Sequence, residues 1–140
     1  MSPKSTHIVA DFWNVDSKLI NDRRALLNIC REAARLGNLN VCAEYFYTFE
    51  PSGLTIVFVL KESSFTIHTY PEARYIAVDV FCCGVNADPY KVLQYLMIAL
   101  QPGKVNQVVL GRGRYEEIDI VKSSARNIKR FYEHLKAIIS

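Results

Sequence analysis

A chain of 140 residues, half of them hydrophobic, is long enough to bury a core of its own, and that composition excludes a disordered tail. Its 17 basic residues against 14 acidic ones leave a net charge of +3, and no basic run exceeds Arg23-Arg24, so no nucleic-acid footprint is indicated. No stretch reaches the roughly eighteen apolar residues of a membrane span, and the opening MSPKSTHIVADF lacks the core of a secretory signal; a cytoplasmic protein off the membrane is expected.

The predicted elements alternate between strand and helix. Ile8 to Trp13 reads as a first strand. Asp16 or Ser17 can then cap a helix whose apolar residues Leu19, Ile20, Leu27, Cys30 and Ala34 fall at helical spacing, with Gly37 as its stop. Val41 to Phe49, Leu54 to Leu60, Phe65 to Tyr70 and Tyr75 to Cys83 are rich in β-branched and aromatic residues. The turn signals Pro51-Ser52-Gly53 and Pro71-Glu72 separate two pairs of them, and such short connections favour antiparallel pairing.

Asp88 followed by Pro89 opens a second helix, with Val92, Leu93, Leu96, Met97 and Leu100 as one stripe and Pro102-Gly103 as its end. Val105 to Leu110 reads as the last strand. Within the tail 121–140, Ser123 to Ile139 can form an extra C-terminal helix with Ile128, Phe131, Leu135 and Ile138 along one side. The whole is one domain of α+β class, a two-layer sandwich in which helices cover one face of a mostly antiparallel sheet. Apolar residues on both sides of one strand, Ile56, Phe58 and Leu60 against Val57 and Val59, predict that the other face is hidden too, either by a second copy or by a covering loop.

Cys30, Cys42, Cys82 and Cys83 show no CxxC spacing and no accompanying histidine cluster, which argues for reduced thiols and against a structural zinc site. Taken singly, a buried cysteine is a small apolar residue, and a charged or aromatic residue near a turn is a solvated or core residue.

Four blocks change that balance: HIVADFWNVD at His7 to Asp16, FEPSGLT at Phe49 to Thr55, ESSFTIHTYPE at Glu62 to Glu72, and VDVFCCG with GRGRYEEI behind it. In this order and spacing they resemble the prokaryotic pyruvoyl-dependent S-adenosylmethionine decarboxylases, over roughly residues 6 to 120. The resemblance implies that the Glu62-Ser63 bond cuts itself, giving chains 1–62 and 63–140. Ser63 then becomes a pyruvoyl group that forms a Schiff base with the substrate amine, without pyridoxal phosphate and without a metal.

By the same resemblance Thr55 and His68 serve the cleavage, Thr55 standing where a serine is usual, and Cys83 donates the proton that replaces the lost carboxylate. Phe49 would stack on adenine, with Trp13 or Phe12 supplying the other ring, and Glu72 would hold the ribose hydroxyls. The family pairs protomers into a helix-sheet-sheet-helix (α/β/β/α) homodimer with sites built from both chains.

Several positions depart from the pattern: Tyr47 for histidine, Ser64 for histidine, Asp11 for glutamate, Ile56 for glycine and Cys82 for threonine. They leave room for an arginine or ornithine decarboxylase, in which Asp11, Glu44 or Glu50 would meet a cationic side chain; an uncleaved regulatory homologue is a further alternative, against which Ser63, His68 and Cys83 together argue. One point is set by parity alone. Ser63 and His68 are an odd number of residues apart, so Ser63 must lie before the regular strand or at a bulge if the two are to act together.

Overall fold

The computed structural model describes residues 4–126 and Ala137. Strand β1 (Ser5–Trp13) buries Ile8, Ala10 and Phe12 on one side and turns Val9, Asp11 and Trp13 to the other. Asp16 caps the short helix α1 (Ser17–Ile20) by accepting from the Lys18 and Leu19 amides at 3.0 and 2.9 Å. The single helix expected from here to Gly37 is in fact two. Asp22 caps a fresh helix, α2 (Arg23–Leu36), through the Ala25 amide at 3.0 Å, so the chain turns at Asn21 and restarts.

Helix α2 buries Leu26, Cys30, Ala33 and Ala34. It stops at Gly37, where a Cβ would stand 2.4 Å from Val92 Cγ2; the close approach of α2 to the next long helix requires glycine there.

Strands β2 (Val41–Thr48), β3 (Leu54–Leu60), β4 (Ser64–Tyr70) and β5 (Tyr75–Cys83) follow, with a single 3-10 turn, Pro71–Ala73, before β5. Helix α3 (Pro89–Leu100) is capped by Asp88 and ends where Gln101 adopts a left-handed conformation (φ 43). Strand β6 (Lys104–Arg112) and then β7 (Asp119–Arg126) complete a seven-stranded sheet of order β2-β3-β4-β5-β1-β6-β7, in which every described pairing is antiparallel.

Val105 to Leu110 is therefore not the last strand. Residues 121–126 of the expected C-terminal helix are strand, because Ile120 to Ala125 pair residue by residue with β6; the rest of that helix lies outside the described residues apart from Ala137, which is helical.

The helices lie on one face, where Leu54, Ile56, Phe58 and Leu60 of β3 join Phe65, Ile67, Ile76, Val78 and Leu96 in the core. Phe58 and Phe65 stack there at 5.3 Å. The opposite face is open: Thr55 and Val57 are half-buried and Val59 is 41% exposed. Burial of β3 on both sides is thus not met within one chain. The architecture is the expected α+β two-layer sandwich.

Candidate active site

Leu60 donates its amide to the Ser63 carbonyl at 3.0 Å, which leaves Lys61 and Glu62 as a two-residue turn and makes Glu62-Ser63 the last peptide bond before β4. Ser63 thus sits ahead of the regular strand. It shares a cavity of about 190 Å³ at one end of the sheet with Glu62, Cys83, Gly84 and the Asn38–Asn40 and Asn86–Ala87 segments.

The two adjacent thiols part at this point. Cys82 points into the core at 4% exposure, and burial, with smaller effects of Cys83 and Asp88, pushes its pKa up to about 11. Cys83 is half-buried and lines the cavity.

His68 lies elsewhere. It pairs across the sheet with Thr55, whose Oγ1 is 2.8 Å from His68 Nδ1, and both stand on the open face. His68 lines a depression of about 480 Å³ together with Asp11, Ser64, Thr66, Asp79 and Asn106. Five residues of extended chain span roughly 16 Å, so Ser63 and His68 are not brought together within one chain.

The remaining positions lie on strand ends and turns. Phe49 is 48% exposed in the β2–β3 turn, its ring edge-on to Tyr47 at 4.8 Å. Glu72 is exposed on the 3-10 turn that follows β4. Trp13 stacks on Tyr75 at 4.2 Å, and Tyr75 on Tyr70 at 5.3 Å, forming a row of rings on the open face. Phe12 does not belong to this set. It is fully buried on the helix side, since its parity along β1 is opposite to that of Trp13.

Contacts that sequence reasoning missed complete the surroundings. Arg23, at the start of α2, donates from Nη2 to the Phe49 carbonyl at 2.5 Å and so ties the aromatic turn to the helix layer. The Tyr75 hydroxyl donates to Asp11 Oδ1 at 2.5 Å, and burial together with this bond holds its pKa above the usual phenol range.

On the same face Arg112 donates to His7 Nδ1 at 3.1 Å, which leaves Nε2 to donate to Asp79 Oδ1 at 2.7 Å; Arg112 also lies over the Phe81 ring at 4.6 Å. Alternation along β1 and β5 would have placed His7, Asp11, Tyr75 and Asp79 on one face. No local signal in the sequence pairs Arg23 with Phe49.

Among the described residues no group of His, Cys, Asp or Glu is arranged to hold a metal ion, and no helix is long and apolar enough to cross a membrane.

A seven-stranded antiparallel sheet with its helices on one face defines the class of fold, and similarity to known proteins agrees with it. The crystal structure of the adenosylmethionine decarboxylase from Aquifex aeolicus superposes with a TM-score of 0.76 at 31% identity, covering 84% of this chain and 97% of that one. A Trypanosoma brucei AdoMetDC monomer shares the fold at 13% identity and a TM-score of 0.55, over 75% of this chain and 45% of its own. The S-adenosylmethionine decarboxylase family model matches residues 6–113.

Curated relatives named S-adenosylmethionine decarboxylase proenzyme include one from Thermotoga petrophila, 34% identical over 91% of this chain and 98% of its own length. Another, from Pyrococcus horikoshii, is 36% identical over 79% and 80%. The chain belongs to the S-adenosylmethionine decarboxylase family.

Proposed function

We propose that the chain cuts itself between Glu62 and Ser63 and, as a homodimer, decarboxylates S-adenosylmethionine to the aminopropyl donor used for spermidine. The observation that carries this is the cavity holding Glu62, Ser63 and Cys83 directly behind a two-residue turn.

The Ser63 hydroxyl is placed to attack the Glu62 carbonyl carbon, exchanging the amide for an ester and moving its proton to the departing nitrogen. Thr55 Oγ steadies the oxyanion, and His68 removes the α-proton so that the Glu62 carboxylate leaves. Water then releases ammonia from the new amino terminus. The resulting pyruvoyl ketone supplies the electron sink for decarboxylation, so the reaction calls for no pyridoxal phosphate and no metal.

The chain's own residues do the rest. Cys83, beside position 63, returns a proton to the substrate α-carbon. Phe49 offers half an exposed face to adenine, with Trp13 as the second ring, and Glu72 accepts from the ribose hydroxyls.

The separation of Ser63 from His68 is the reason for a dimer. The open face of the sheet needs a cover, and a two-fold axis crossing the strands in the plane between two such faces lays the Ser63 end of one protomer over the His68 end of its partner. Each site then takes Ser63 and Cys83 from one copy, and Thr55, His68, Phe49 and Glu72 from the other. Four free cysteines suit the reducing cytoplasm.

The acids that an arginine or ornithine site would need are largely committed. Glu44 is held in a two-pronged pair by Arg31 on the helix side, and Asp11 accepts from Tyr75.

Intact mass of the purified protein, followed by carbon dioxide release from S-adenosylmethionine, arginine and ornithine, tests both halves. Fragments 1–62 and 63–140, the second with a blocked amino terminus, together with release from S-adenosylmethionine alone, are expected. An uncut active protein overturns the maturation, and release from arginine or ornithine overturns the substrate.

A further inference from the structure

The segment 37–40, between α2 and β2, is bonded to both walls of the cavity at Ser63. On one side the Asn40 carbonyl accepts from the Lys61 amide at 3.1 Å, in the turn that precedes the Glu62-Ser63 bond. On the other, the Gly37 carbonyl accepts from the Asp88 amide at 2.8 Å, and the Asn38 side-chain amide donates to the Asn86 carbonyl at 3.1 Å. Asn86 belongs to the loop 84–87, which leaves Cys83 and lines the same cavity. Packing does little for that loop: Val85 is 98% exposed, and no described atom lies within 4 Å of a Cβ placed on Gly84.

The residue type at position 38 is informative. Its backbone is left-handed (φ 57), and the Asn38 and Leu39 amides donate to the Arg35 and Ala34 carbonyls to close α2. A helix end of this kind is served best by glycine, which has no Cβ to strain there. Asparagine adds to the cap only a side chain, and the amide of that side chain reaches the loop beyond Cys83.

We propose that Asn38 is a positioning residue: through Asn86 it fixes the loop behind Cys83 and so holds the thiol in place relative to position 63. This deepens the proposed reaction and rests on Cys83 as its proton donor. Placement matters at such a step, since a shift of about 1 Å in a reacting group can cost about 10²-fold in rate.

Asn38→Gly separates this role from capping. It keeps the left-handed turn and removes only the side chain, so Tm should stay within about 2 °C or rise. Cleavage should run to completion, because the bond between Lys61 and Asn40 remains. For S-adenosylmethionine, kcat should fall about fivefold or more while KM stays within about twofold. Asn38→Asp keeps the size of the side chain and tolerates the same backbone, but it presents an acceptor where the donor stood, and it should lose kcat to the same extent. Full kcat in either variant, or a loss confined to KM, overturns the proposal.

A second measurement needs no turnover. Alkylation of Cys83 at pH 8, followed by peptide mapping, should run about threefold or more faster in Asn38→Gly than in the unaltered chain, because the loop beside the thiol is released. Equal rates overturn the proposal. A faster rate in a chain whose unaltered form releases no carbon dioxide from S-adenosylmethionine strikes the decarboxylase reading and leaves the tether between Asn38 and the loop standing.

Discussion

The two ends of the open sheet face are built differently. At one end Glu62, Ser63 and Cys83 are held by a tight turn and a strand terminus and line one cavity with backbone segments as walls. At the other, Thr55, His68, Phe49, Trp13, Tyr70 and Tyr75 supply a bonded hydroxyl–imidazole pair and a bank of rings. In the proposed reaction the first end is attacked and donates a proton, and the second moves a proton and holds a flat ligand. In the proposed dimer, the two ends would come together where two copies meet.

The sharpest way to break this contrast is to disable one end at a time. Ser63→Ala and His68→Ala, made separately, should each reduce cleavage by at least about 10²-fold, Ser63→Ala to nothing. Coexpressed, the two should restore about one quarter of normal decarboxylation, because half of randomly formed dimers are mixed and each mixed dimer holds one complete site. No recovery on coexpression would place both groups in one chain.

Cys83→Ala should still be cut, yet turn over about 10²-fold or more slowly; full turnover would remove Cys83 from the reaction. Phe49→Ala should raise KM about tenfold, the worth of one stacked base, with little loss in kcat. Arg23→Gln, which only frees the Phe49 carbonyl, should raise KM a few-fold and leave cleavage intact.

The smallest effect separates the thiols. At pH 8 an alkylating reagent should modify exposed Cys42 quickly, while buried Cys30 and Cys82 stay unmodified until the protein unfolds, their pKa values raised mainly by burial. Peptide mapping reads this directly.

Much of this was legible in the residues. Leu54–Leu60 and Tyr75–Cys83 have the bounds that their β-branched runs mark, and Asp88-Pro89 opens α3 because proline suits the first helical turn. The restart at Asp22 was hidden, since Leu19 and Ile20 continue the apolar spacing of α2 and periodicity is blind to a second cap.

Phe12 misled for a related reason: motif position put it next to Trp13, and strand parity sent the two rings to opposite faces. β7 was missed because Lys122-Ser123-Ser124 has weak strand character of its own and is held by its pairing with β6. The site suffered most from distance. Alternation assigns faces but says nothing of which strand ends lie together, so parity could place Ser63 ahead of the strand without bringing it to His68.

That 16 Å or so of intervening strand sets a clock. If His68 acts only on the opposite subunit's bond, maturation is a bimolecular event, and its half-time should lengthen as newly made chains are diluted. A cell making few copies would keep them dormant, and abundance itself would arm them.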